Sequence, residues 1–114
     1  MADLGHDIYL TNNRGNSVST GHIEFDPFLD AREYWDFSLD GFAEDVIASA
    51  KVMNENAGTG KGYYFGYSLG TIQAMVATAT RENEMAEYFH KIVLLAPCFG
   101  TIQGFDTSEI PETK

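Results

Sequence analysis

The chain has 114 residues, 44% of them hydrophobic and 13% aromatic, with 17 acidic against seven basic side chains and a formal net charge of −10. A chain of this length holds one small domain that buries roughly 65% of its unfolded surface, so a large enzyme fold would be incomplete here. The charge balance argues against a nucleic-acid partner, because phosphate binding needs clustered Lys and Arg and the seven cations are scattered among acids.

Cys98 is the single cysteine, which excludes an intrachain disulfide and a thiolate zinc cluster. Residues 1–7 lack the basic and apolar regions of a signal peptide, and the longest apolar run, 92–97, is far short of the roughly 20 residues a membrane helix needs. No transmembrane segment is expected, and the sequence carries no address that would fix its localisation.

In chain order, Asp7-Ile8-Tyr9-Leu10-Thr11 predicts a first strand, ended by the turn formers Asn12-Asn13-Arg14-Gly15-Asn16. From 17 to 36 the apolar residues keep neither the helical nor the strand period and Pro27 interrupts them, which predicts a long surface excursion. Ser38 fits a helix N-cap, and Leu39, Phe42, Ala43, Val46, Ile47, Ala50 and Met53 follow at spacings of three and four. That helix of about four turns should end at Asn56-Ala57-Gly58.

Tyr63-Tyr64-Phe65 predicts a second, short strand, followed by Gly66-Tyr67-Ser68-Leu69-Gly70 and an Ala-rich helix over 71–81 with Ile72, Met75, Val76 and Ala79 on one face. Residues 85–90 predict a short helical turn. The continuous apolar run Ile92-Val93-Leu94-Leu95-Ala96 predicts a strand buried on both faces of a parallel sheet. The alternation gives the fold class α/β, with about three parallel central strands and covering helices. Both end strands would be left as open edges, which is the layout of the middle of a larger sheet.

Gly66-x-Ser68-x-Gly70 is the nucleophile-elbow pattern, in which a serine sits on a strained strand-to-helix turn and flanking glycines let the two backbones approach. The bare pattern is common, but here it lies between an aromatic strand and an Ala-rich helix, the setting the chemistry requires. In that setting the Ser68 hydroxyl projects above the sheet, the Leu69 N–H faces a developing oxyanion, and the helix adds its positive end.

Several stretches in succession then resemble the acid lipases, the α/β-hydrolase family that includes gastric and lysosomal acid lipase. They are residues 1–10, Asn13-Arg14-Gly15-Asn16 with Ser19 and His22, Tyr34-Trp35-Asp36-Phe37-Ser38-Leu39-Asp40, Gly66 to Gly70, and Leu94-Leu95-Ala96-Pro97. The resemblance implies a partial α/β-hydrolase fold and a serine hydrolase acting on carboxylic esters of lipids, with Ser68 as nucleophile and the Leu69 N–H as one oxyanion donor. It makes residues 1–100 the central part of the hydrolase domain and 101–114 a polar tail at the start of a cap region. In the family's usual G-H-S-x-G elbow, histidine stands where this chain has Tyr67, and glutamine commonly stands where it has Leu69. The first change bears on packing beside the nucleophile and so on substrate range.

An α/β-hydrolase triad runs in the order Ser, acid, His. Downstream of Ser68 stands only His90, which precedes the apolar strand and so falls at the end of a parallel sheet opposite the serine. His6 has the same placement on the first strand, and His22 reads as a loop-structuring residue rather than a base. The triad acid and base are therefore expected to be absent from this chain, which would leave it inactive alone. The missing parts point to an incomplete gene model or a fragment. The alternative is a catalytically silent remnant serving as a binding or assembly module, with a protein partner over its open sheet edges.

No cofactor is expected. Gly58-Thr59-Gly60-Lys61-Gly62 lacks the spacing and the Ser or Thr of a phosphate loop, and it leads into a strand. The acid pairs Glu82 with Glu84 and Asp26 with Asp30 have no neighbouring histidine, so no metal site is expected.

Overall fold

The structure, a computed structural model, describes residues 1–58 and 60–98. The tail expected over 101–114 lies outside the described residues.

A single 3-10 turn, Ala2–Leu4, opens the chain and closes on Gly5 in the left-handed conformation. Residues 6–13 carry no regular element, and Ile8, Tyr9 and Leu10 are exposed at 48%, 38% and 89%. The first strand expected at 7–11 is thus not formed. A strand exists through its ladder partner, and none of the described residues pairs with this run.

The excursion that follows is irregular as expected, apart from one helical turn, α1 (Ala31–Tyr34). It is ordered by individual contacts. The Nε–H of Arg14 donates to Asp45 Oδ1 at 2.9 Å, and its backbone N–H donates to Oδ2 at 2.9 Å. Gly15, at φ 74°, lies under the Trp35 ring, which a Cβ would meet at 2.6 Å. Segments 13–16 and 34–40, two of those that resemble the acid lipases, therefore lock onto each other. They also lock onto the long helix α2 (Leu39–Ala57), which bears Asp45.

Helix α2 begins and ends as its sequence predicts. The Ser38 hydroxyl accepts the Asp40 N–H, and Gly58 closes the helix in the left-handed region with its N–H on the Asn54 carbonyl. Ala43, Val46, Ile47 and Ala50 form its buried stripe. Strand β1 (Gly62–Tyr67) leads into α3 (Leu69–Thr80), then α4 (Glu82–Tyr88) and strand β2 (Phe89–Leu95). The two strands pair in parallel, Tyr64 opposite Ile92 and Tyr67 opposite Leu95, with an irregularity between Gly62 and Tyr63.

The core lies where α2, α3 and α4 meet: Ala43, Val46, Ile47, Ala77 and Met85, with Tyr64, Phe89 and Ile92 packed against it from the sheet. Fully burying Val46 or Ile47 contributes about 2 kcal/mol each. The sheet is covered on this face. On the other face Tyr63, Phe65 and Tyr67 are 58%, 51% and 71% exposed, since side chains alternate along a strand. The expected burial of both faces is therefore not met: the described residues place helices on one side only. They form a partial α/β fold with a two-stranded parallel sheet in place of the three strands expected.

Candidate active site

Ser68 occupies the single residue between β1 and α3. Its backbone stands at φ 50° and ψ −113°, a conformation that costs a non-glycine residue of order 1–3 kcal/mol. The turn is held by hydrogen bonds on both sides. The Ser68 N–H donates across the sheet to the Leu95 carbonyl at 3.1 Å, and the Ser68 carbonyl accepts the Thr71 N–H at 2.9 Å. The Ser68 side chain makes no cap hydrogen bond to α3, although serine is a favoured cap.

The reason for glycine at 66 is steric. A Cβ there would stand 2.5 Å from the Gly70 carbonyl oxygen and 2.8 Å from the Tyr64 ring. At Gly70 the nearest atom to a Cβ is the Tyr64 hydroxyl, at an ordinary 3.6 Å. The two glycines of the motif thus have different justifications: the first allows a backbone contact, and the second does not need its missing side chain in this packing.

The Tyr64 hydroxyl donates to the Gly70 carbonyl at 2.9 Å, and burial pushes its pKa above the ordinary tyrosine value. Thr71 is fully buried, with its hydroxyl donating to the Ser68 carbonyl at 2.6 Å and accepting the Cys98 N–H at 3.2 Å. Neither residue stands out in the sequence. A threonine three residues after a helix-capping serine is the signal that points to Thr71, and its in-phase position with Gly66 on the strand points to Tyr64.

Leu69 is the first residue of α3, so its N–H belongs to the donors that a helix leaves unpaired at its start. At the end of β2, Ala96 also has positive φ, at 48°. The neighbouring strands therefore both leave the sheet through a left-handed residue.

None of the three histidines hydrogen-bonds to Ser68 among the described residues. His90 is the second residue of β2 and stacks obliquely on Tyr63 at 5.8 Å. Ser68 bonds to Leu95 at the other end of that strand, about 16 Å away at the usual rise per residue. His22 shapes its loop: Nδ1 accepts the N–H groups of Glu24 at 3.0 Å and Phe25 at 2.9 Å, and the ring stacks on Phe25. His6 lies in the exposed coil after the first turn. Among the described residues no group of three or more potential ligands could hold a metal ion, and no helix is long and apolar enough to cross a membrane.

No family model matches the chain, and no solved structure matches it. Curated relatives do. Lipase member K of Homo sapiens is 39% identical over 98 residues, 85% of this chain and 24% of that protein. A probable lipase of Schizosaccharomyces pombe is 35% identical, over 85% of this chain and 20% of that protein. Gastric triacylglycerol lipase of Bos taurus is 35% identical, over 85% and 24%. The chain spans a quarter or less of the length of these relatives. Over that span, it belongs to the acid-lipase-like family.

Proposed function

We propose that this chain carries the nucleophile of a lipase-like serine ester hydrolase, with residues 1–100 forming the central part of an α/β-hydrolase domain and the triad acid and base supplied from outside these residues. The observation that carries the reading is the backbone of Ser68: a strained residue between a parallel strand and a helix, with a hydroxyl that does not cap the helix it precedes. Strain of this kind persists where it serves a purpose, and an elbow serine is the purpose that this place in the fold suggests.

In that mechanism Ser68 Oγ attacks the ester carbonyl carbon while its proton passes to the base. The carbonyl oxygen becomes an oxyanion that accepts the Leu69 N–H, helped by the positive end of α3. Collapse of the tetrahedral intermediate expels the alcohol and leaves acyl-Ser68. Water then attacks the acyl carbon, releasing the carboxylic acid and regenerating the hydroxyl. Relatives named as lipases, one of them a triacylglycerol lipase, support a lipid ester as substrate.

His22 holds its own loop and His90 lies at the far end of β2 from Ser68, which supports a base supplied from outside these residues, and a serine without a base is a weak nucleophile. The 114 residues alone are therefore expected to turn over no ester. The test uses the longest reading frame that contains them, assayed on a p-nitrophenyl ester and on an emulsified triacylglycerol. Ser68→Ala should lower kcat by at least about 1,000-fold with the fold retained. Hydrolysis that survives Ser68→Ala overturns the proposal.

A further inference from the structure

Thr71 is a buried polar residue that the ester-hydrolase reading leaves without a part. Its hydroxyl lies in a chain of three groups: the Cys98 N–H donates to Thr71 Oγ1, and Thr71 Oγ1–H donates to the Ser68 carbonyl oxygen. Because Oγ1 accepts from Cys98, its own proton is directed to Ser68. The same carbonyl also accepts the Thr71 backbone N–H at 2.9 Å.

The Ser68 carbonyl and the Leu69 N–H belong to one planar, trans peptide unit. Fixing the direction of the carbonyl therefore fixes the direction of the N–H, which points the opposite way, out of the start of α3. We infer that Thr71 is the positioning residue that aims the Leu69 N–H at the oxyanion. Its two donations to the Ser68 carbonyl lock that peptide plane at a residue whose own backbone is strained. The donation from Cys98 polarises the chain, which makes the Leu69 N–H a stronger donor. It also ties the peptide plane to the segment that follows β2, so that both strand ends hold it.

The inference rests on the ester-hydrolase reading, and the experiment separates the two. Thr71→Val keeps the shape and removes the hydroxyl, and Thr71→Ser restores it. In the same long reading frame, kcat is measured per serine titrated with a fluorophosphonate, so that misfolded molecules drop out of the count. Thr71→Val should lower kcat per titrated site about 10- to 100-fold with KM within about twofold, and Thr71→Ser should recover most of the loss.

A merely structural threonine would lower the number of titratable sites and leave kcat per site unchanged, and that result overturns the inference. Ser68→Ala is the control. If it loses hydrolysis while Thr71→Val keeps full kcat per site, the positioning role fails alone. If Ser68→Ala still hydrolyses ester, or the wild-type protein has no titratable serine, the reading beneath it fails as well.

Discussion

Residues 62–98 and residues 1–37 are held in place by different physics. The first stretch pairs two strands and packs its helices on α2 around a common core, so its order comes from a ladder and from burial. In the second, Tyr34 is the one buried residue among those described, and large side chains such as Leu10, Ile23, Phe28 and Leu29 are 87% to 96% exposed. What orders it is directional: the Arg14 contacts with Asp45, Trp35 over Gly15, the Nδ1 of His22, and Asp26, whose carboxylate accepts the N–H groups of Phe28 and Leu29. Order without a core needs particular residues at particular places. Core positions, by contrast, accept exchanges of similar volume.

The sharpest test of the packed half is at the two glycines that flank Ser68. Gly66→Ala puts a methyl group into the Gly70 carbonyl, a backbone atom that cannot step aside. About 3 kcal/mol of stability should be lost, read as a lower denaturant midpoint with unchanged slope. Gly70→Ala, where the space is ordinary, should change stability by less than about 1 kcal/mol. Equal losses at both positions would show that the motif's glycines are kept for some other reason than this close approach.

In the directional half, Asp45→Ala removes the acceptor of Arg14. The guanidinium is 40% exposed and the carboxylate 15%, so solvent screening limits the global loss to about 1 kcal/mol. The local effect should be larger than the global one: amide exchange and proteolytic cleavage across 12–37 should accelerate while 62–98 stays protected. With Asp45 intact, Arg14→Lys should lose much of the same protection, because one ammonium cannot reproduce a guanidinium fork. Uniform acceleration over both halves would show that they unfold as one unit and that the contrast between them is superficial.

Much of the packed half is legible in the sequence. Helix α2 runs from its Ser38 cap to its Gly58 stop, because cap, stripe and stop agree locally. A sharp change from strand to helix around Ser68 is legible from its flanking glycines, since the glycine at 66 answers a close backbone contact with Gly70. The strand expected at 7–11 is not legible in this way. Its β-branched and aromatic residues state a propensity, but a strand is a property of two segments, and propensity cannot supply the second. Burial of Ile92 to Ala96 on both faces failed for a related reason, as an apolar run shows what could be covered and not what covers it. Thr71 and Tyr64 are signalled only by a Ser-to-Thr spacing of three and by phase with Gly66, because their roles depend on which carbonyls the folded backbone brings within reach.

The smallest expected effect lies at Tyr64, whose hydroxyl ties β1 to the start of α3. Burial disfavours the phenolate, so the folded-state pKa is raised above the unfolded value of about 10. The stabilisation from keeping this group neutral is fully present below that pH and is lost as pH rises through the higher folded value. Ionisation would also turn the donor to the Gly70 carbonyl into a second acceptor facing it, breaking the 2.9 Å hydrogen bond. Tyr64→Phe should cost about 1 kcal/mol or less at neutral pH through that lost bond. It should also flatten the decline in stability above pH 10. An unchanged alkaline decline of stability in Tyr64→Phe would mean that the hydroxyl is solvated and that the Gly70 carbonyl is held by the helix alone, leaving Thr71, among the described residues, as the side chain that ties the turn.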